Sequence, residues 1–321
     1  MNSVANHCQS AQMGLLNMKN SAADFQPGVR LSGKWHNGTY PLIRKLGSGA
    51  IGTVYLTKRN GVDAALKISE KRTSMTMEMN VLQSLKKVQG HFLGPCLFDT
   101  DDYVSPSGKL YTFYVMEYIQ GSRLDAYIKA KGSEWLPVLL LGLLDDLDHL
   151  HQAGWVFGDL KLDNLVVSEN PIRLRWVDVG GTTQTGRAIK EYTEFYDRGH
   201  WGMGSRKAEP TYDLFALAMT ALEVMNGGRF PKGDTPKAAI KQVLSRTGKL
   251  RPILEKALAG KYTDSAAMKQ DLVKHLMKKN VPVPPAIPSR VAKSSQRKTG
   301  LGECIVLSVY GIACYVLYLL Q

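Results

Sequence analysis

Trp155-Val156-Phe157-Gly158-Asp159-Leu160-Lys161-Leu162-Asp163-Asn164 is the stretch on which the reading of the fold turns. An apolar run, Trp155-Val156-Phe157, leads into a turn that sets Asp159 and Asn164 five residues apart with Lys161 between them. A carboxylate there can accept a hydroxyl proton, and the ammonium can neutralise a transferred group. The Asn164 amide, with a second carboxylate, can hold Mg²⁺. That carboxylate follows in Trp176-Val177-Asp178-Val179-Gly180, an acid at the end of a strand-like run and before glycines. Each of these residues alone is an ordinary turn or cap residue, and their order and spacing give them weight.

Upstream, Leu46-Gly47-Ser48-Gly49-Ala50-Ile51-Gly52-Thr53-Val54 fits G-x-G-x-x-G-x-V. Glycines in this pattern let a backbone turn approach phosphate oxygens without a Cβ in the way, although the same residues also suit a plain hairpin turn. A dinucleotide-binding fold needs a helix next. Here residues 53–56 and 64–69 read as strands instead. Lys67 closes Ala64-Ala65-Leu66-Lys67, and Glu78 lies in Met77-Glu78-Met79-Asn80-Val81-Leu82, whose apolar spacing is helical. A Lys–Glu pair across a strand and a helix would aim the ammonium at phosphates.

The chain changes character once. Residues 40–70 and 109–119 carry β-branched and aromatic runs with turn signals, as in an antiparallel sheet. From Trp135 the leucines at 136, 139, 140, 143, 144, 147 and 150 predict a long amphipathic helix that stops near Gly154. A sheet-rich lobe therefore precedes a helix-rich one.

Taken in order, these motifs resemble the Hanks-type (eukaryotic-like) serine/threonine protein kinases of bacteria over roughly residues 40–279. The resemblance implies an α+β, two-lobed fold, with an antiparallel sheet and one helix in the N-lobe and a mainly helical C-lobe. It implies ATP and Mg²⁺ (or Mn²⁺) as cofactors and Ser/Thr hydroxyls of proteins, including its own, as acceptors. Residue by residue, it makes Asp159 the catalytic base beside Lys161 and has Lys67 contact the α/β-phosphates while paired to Glu78. Asn164 and Asp178 become the metal ligands. The nucleotide would be covered by Leu46, Gly47, Ser48, Gly49, Ala50, Ile51, Gly52 and Val54. Met116 would guard the adenine pocket, and the backbone of Glu117 to Ile119 would read the adenine edge. Thr193, in Thr193-Glu194-Phe195-Tyr196, resembles the family's T-x-x-Y substrate loop, and Asp213 its buried, loop-organising aspartate. The short activation segment and the chain's C-terminal end look most like the sporulation-associated, C-terminally membrane-anchored kinases of bacilli.

Three departures accompany the resemblance. The family's His-Arg-Asp is Phe157-Gly158-Asp159, which removes the usual partner of an activation-loop phosphate, so phosphate-dependent ordering of that loop is expected to be absent. Phe157 is expected to keep the apolar packing of the histidine. Asp-Phe-Gly is Asp178-Val179-Gly180, and no Ala-Pro-Glu follows Tyr196. A pseudokinase scaffold would normally lack Lys67, Asp159 or Asp178, and all three are present. A small-molecule kinase is the other alternative, against which stands the T-x-x-Y loop.

Charge divides the 321 residues unevenly. The formal net charge is +13, with 44% hydrophobic residues, a composition that excludes a disordered polymer or a disulfide-stapled mini-protein. Residues 1–219 are nearly neutral, whereas residues 220–300 hold 17 Lys/Arg against 5 Asp/Glu. Lys274, Lys278, Lys279, Arg290, Lys293, Arg297 and Lys298 are the candidate contacts to a polyanion, either DNA bound without sequence specificity or anionic lipid. Binding there would gather kinase molecules and promote autophosphorylation through self-association. Residues 1–39 read as an N-terminal extension without a secretory signal, and residues 280–303 as a Pro-rich basic linker. The four cysteines form no zinc or disulfide pattern. Residues 304–320 run 17 positions without a charge, about 25 Å as a helix, and are expected to be a single transmembrane anchor. With Arg and Lys before the run, the kinase would face the cytoplasm at the cell membrane.

Overall fold

The computed structural model describes residues 24–86, 94–169 and 171–277. The chain divides into two units, Met1–Lys278 and Lys279–Gln321. The second lies outside the described residues. With it lie Lys279, Arg290, Lys293, Arg297, Lys298, the whole of the expected linker at 280–303 and the expected anchor at 304–320; Lys278 is outside the described residues as well. Among the described residues no helix is long and apolar enough to cross a membrane.

The first lobe is built on five antiparallel strands in the order β3-β4-β5-β7-β6. These are β3 (Arg44–Ser48), β4 (Thr53–Arg59), β5 (Val62–Ser69), β6 (Leu97–Val104) and β7 (Leu110–Glu117). One helix, α1 (Arg72–Lys86), crosses the sheet between β5 and β6. The pleat sends alternate residues to opposite faces. Ala64, Leu66, Ile68, Phe113 and Val115 enter an outer core, while Ala65, Tyr114 and Met116 enter the core shared with the helical lobe. Lys67 has the same parity as Ala65 and therefore faces the cleft. Both faces are covered, which is why β5 and β7 read as nearly continuous apolar runs rather than alternating ones.

The expected extension is split. Residues 24–39 belong to the lobe, where β1 (Arg30–Ser32) and β2 (Thr39–Pro41) form a hairpin. Leu31, Tyr40 and Leu42 enter the outer core. The hairpin loop is fixed by Asp101, whose carboxylate accepts the Trp35 N–H at 2.9 Å and the His36 N–H at 2.8 Å. The same contacts explain why β6 was not legible. Leu97-Phe98-Asp99-Thr100-Asp101-Asp102-Tyr103-Val104 has too many acids for a strand pattern. Asp101 and Asp102 are nevertheless buried, Asp102 accepting the Thr112 hydroxyl at 2.8 Å.

The second lobe is mostly helical. Short strand β8 (Ser122–Arg123) leads into α2 (Leu124–Lys131), and α3 (Trp135–Gln152) buries the seven leucines of its predicted stripe. Strands β9 (Trp155–Val156), β10 (Leu165–Glu169), β11 (Ile172–Trp176) and β12 (Thr183–Gln184) carry the catalytic turn. Helix α4 (Pro210–Asn226) starts with Pro210, whose missing N–H costs nothing at a helix start, and is buried from Tyr212 to Glu223. Helices α5 (Pro236–Leu244), α6 (Arg251–Leu258) and α7 (Ser265–Met277) complete it. Apolar residues of both lobes form one continuous core that runs beneath the cleft.

Candidate active site

The register of the sheet builds the first half of the site. On β5, Lys67 lies opposite Val54 of β4 on one side and Tyr114 of β7 on the other. Its Nζ reaches Glu78 Oε2 on α1 at 2.7 Å and Asp178 Oδ1 at 3.3 Å. Burial is the largest influence on both partners of the pair. Around Lys67 it is outweighed by the carboxylates of Asp178 and Glu78, which hold the ammonium above its ordinary range. At Glu78 burial wins over Lys67, and the carboxyl sits above the usual carboxylate range.

The glycine loop connects β3 and β4. It is fastened by the Lys71 ammonium, which donates to Ala50 O at 2.7 Å, and by the Ser69 hydroxyl, which donates to Ile51 O. Gly52 is sterically required, because a Cβ there would lie 2.5 Å from Ile68 O. Leu46, Ile51 and Val54 pack against the shared core from above. Ala65 and Met116, cross-strand partners on β5 and β7, and Leu165 at the start of β10 are buried in the same core. Sequence reading named Met116 but missed Ala65 and Leu165, since a buried small or aliphatic residue on a strand carries no chemical signal of its own. Ile119 is buried at the end of the connection from β7. Glu117 is drawn away to Arg175, which donates to both its carboxylate oxygens, at 2.5 and 3.0 Å.

The second half is the turn quoted at the outset. Gly158 has φ +80°, and a Cβ on it would lie 2.5 Å from Gly181 O. The family's arginine therefore has no room at this position. Asp213, in the first turn of α4 and fully buried, accepts the Phe157 and Gly158 N–H groups at 2.7 and 2.9 Å and pairs with His151 Nε2 at 2.9 Å. Those bonds hold the turn so that Asp159 points into the cleft. Phe157 packs against Trp176 with ring centroids 5.0 Å apart. It belongs to the same core as Val179, so the apolar packing expected of it is present.

Asp159 is surrounded by polar groups. The Thr193 hydroxyl donates to its Oδ1 at 3.2 Å, and the Lys161 ammonium donates to its Oδ2 and, at 3.3 Å, to Thr193 Oγ1. Burial pushes the Asp159 carboxyl up, against the pull of Lys161. Asn164 Nδ2 donates to Asp159 O at 2.9 Å, so its amide oxygen is the atom it can offer a cation. Asp178 is shifted down. Burial pushes it up, but the Lys67 charge and the Gly180 N–H, donated at 3.0 Å, outweigh that. A carboxylate and an amide oxygen are hard donors that fit Mg²⁺, which takes few protein ligands and completes its shell with water and phosphate oxygens. Among the described residues there is no cluster of three or more His, Cys, Asp or Glu that could hold a metal ion.

Where Ala-Pro-Glu is missing, other bonds anchor the segment after Thr193. Asp197 is fully buried and accepts the Tyr212 hydroxyl at 3.0 Å, the Arg206 Nε–H at 2.8 Å and the His200 N–H at 2.8 Å. Arg198 donates to Glu209 at 2.6 Å. The sequence carries no motif that signals these bonds, since their partners lie 3–15 residues further along the chain.

The structure thus brings together Lys67, Glu78, Asp159, Lys161, Asn164, Asp178, Thr193 and Asp213. Lys274 is exposed on α7, on a different element from all of them.

Comparison with known proteins matches the same span. The protein kinase domain profile covers residues 40–288. Serine/threonine-protein kinase YabT of Bacillus subtilis (strain 168) is 48% identical over 256 residues, 78% of this chain and 76% of that protein. Two more distant relatives are PknD of Mycobacterium tuberculosis, at 27% over 69% of this chain and 36% of its own, and serine/threonine-protein kinase C of Synechocystis, at 24% over 69% and 45%. The pseudokinase and small-molecule readings give way to a conclusion on which motif order, geometry and similarity agree: the chain belongs to the protein kinase family and is a serine/threonine protein kinase.

Proposed function

We propose that this kinase transfers the γ-phosphoryl group of ATP to serine and threonine hydroxyls of proteins, including its own, with Asp159 as base and Asn164 and Asp178 as the metal ligands. The contact of Lys67 with both Glu78 and Asp178 carries this reading. It joins the sheet, α1 and the segment after β11 in one polar network. As the acceptor oxygen bonds the γ-phosphorus, its proton passes to Asp159, the bond to the β–γ bridging oxygen breaks, and ADP leaves. Lys161, held between Asp159 and Thr193, neutralises charge on the moving phosphoryl group. Mg²⁺, when bound, supplies charge neutralisation at the β- and γ-oxygens.

The second part of the reading concerns location and control. The apolar run 304–320 anchors the chain in the cell membrane with the kinase on the cytoplasmic side, and the basic last third meets a polyanion. Exposed Lys237, Lys241, Lys249, Lys261 and Lys274 support this among the described residues. The surplus is smaller than the sequence suggests, because Lys256 pairs with Asp271 and Lys269 with Asp145, each at 2.5 Å. A sporulation setting rests on the resemblance of the motifs alone.

The test is phosphate transfer by the full chain with Mg²⁺-ATP, alone, with duplex DNA, and with vesicles of anionic lipid, beside Asp159→Asn. The expected result is incorporation that the mutant abolishes and that one polyanion raises, with a steep salt dependence. Incorporation indifferent to both polyanions keeps the kinase and removes this control. No incorporation in any condition removes the kinase reading.

A further inference from the structure

Glu78 is nearly fully buried on α1, and a buried carboxylate needs donors in proportion to its charge. Its two oxygens are treated unequally. Oε1 is buried and has no hydrogen-bond partner. Oε2 receives two donors: the Lys67 ammonium at 2.7 Å and the Tyr114 hydroxyl, also at 2.7 Å. The arrangement follows from strand register. Lys67 and Tyr114 are direct cross-strand partners on β5 and β7, so their side chains leave the same face of the sheet side by side. Helix α1 packs over that face, and Glu78 meets both of them at once.

We infer that Tyr114 is a positioning residue for the phosphoryl transfer: its hydroxyl holds Glu78 in place on α1, so that Glu78 in turn holds Lys67 toward the nucleotide. This deepens the proposed reaction and rests on it. In a chain with Gly158 where an arginine would read an activation-loop phosphate, α1 needs a hold that does not depend on that phosphate. Tyr114 supplies one from inside the N-lobe. It is fully buried and its hydroxyl has Glu78 as acceptor, so the phenol is more than core filling at a position that Phe would otherwise occupy equally well.

The test is Tyr114→Phe in the full chain, which removes one oxygen and keeps the ring. Alongside it run the wild type, Asp159→Asn, Glu78→Gln and the Tyr114→Phe/Glu78→Gln double variant. The expected result is a fall in kcat of about tenfold, as for loss of a hydrogen bond to a charged group, with the melting temperature lowered by no more than about 6 °C so that the variant stays folded in the assay. KM for the protein acceptor stays within about twofold. In the Glu78→Gln background the same change costs much less, and hydrogen exchange of the α1 amides quickens in Tyr114→Phe. Unchanged kcat in Tyr114→Phe overturns the inference, as do equal losses in both backgrounds or unchanged α1 exchange. A wild-type chain that transfers no phosphate overturns instead the reaction on which it rests, so the two failures are told apart.

Discussion

The catalytic turn and the segment that follows Thr193 lie against each other, yet they relate to sequence in opposite ways. In the turn, Asp159, Lys161 and Asn164 keep the spacing of the family motif, and Lys161 and Asn164 both donate to Asp159. In the segment after Thr193, the expected Ala-Pro-Glu is gone and an unrelated set of bonds, Asp197 to Arg206 and Tyr212 and Arg198 to Glu209, holds the backbone. Groups that touch reactants are limited to a few residue types by the chemistry. Groups that only brace the backbone can be exchanged for any donor and acceptor that meet.

The largest effect that sharpens this contrast belongs to Asp159→Asn. As the proposed base, Asp159 carries the transfer, and its loss is expected to lower kcat by about 10³-fold, the middle of the range for general base catalysis, with the fold intact by circular dichroism. A fall below tenfold would mean that the turn only braces the site, and the contrast would collapse.

Asp213→Ala tests where the two regions meet. Its carboxylate is the acceptor for the Phe157 and Gly158 N–H groups and for His151. Removing it leaves buried donors unpaired, at about 1–3 kcal/mol for each group. A melting temperature lowered by about 10 °C is expected, together with reduced kcat. Reduced activity at an unchanged melting temperature would place Asp213 among the reacting groups rather than beneath them.

Gly158→Arg restores the residue of the family motif. At φ +80°, with Gly181 O 2.5 Å from where the new Cβ would be, the arginine strains the turn by at least about 2 kcal/mol. Lower stability and lower activity are expected, with or without a phosphate on the activation segment. A gain in activity on phosphorylation would show that the turn can still accept the family's switch.

The sequence made the two-lobed fold, the glycine loop, Lys67, Glu78 and the α3 leucine stripe legible because each has either a period or a charged residue at a fixed distance from another. What stayed hidden had neither. Strand β6 is disguised by aspartates whose partners, the amides of Trp35 and His36, lie more than 60 residues away. The hairpin of β1 and β2 looked like an extension because its three core residues, Leu31, Tyr40 and Leu42, are too few to show a period. Ala65 is an ordinary small residue until strand pairing sets it opposite Met116, and Leu165 an ordinary aliphatic one until it joins the same core. Tyr114 could have been found from register alone, since any strand pairing that puts it opposite Lys67 also delivers it to Glu78.

The smallest effect concerns the replacement anchor and is read by pH. Burial pushes the Asp197 carboxyl up, but Arg206, His200 and Tyr212 together hold it below its ordinary value. A carboxylate held low in the folded state adds stability above its unfolded pKa, about 3.9, and loses it as pH falls through the folded value. Arg206→Gln removes the charged partner. Its melting temperature is therefore expected to lie below wild type at pH 7, and the gap is expected to close at a pH below the folded value of Asp197, where the carboxyl is protonated in both proteins. Arg206 also lies over the Tyr192 ring, 4.2 Å from its centroid, and that contact does not depend on the protonation of Asp197. A gap of equal size at both pH values would assign the anchoring to the aromatic contact and leave Asp197 with its neutral donors, Tyr212 and the His200 amide, as sufficient partners.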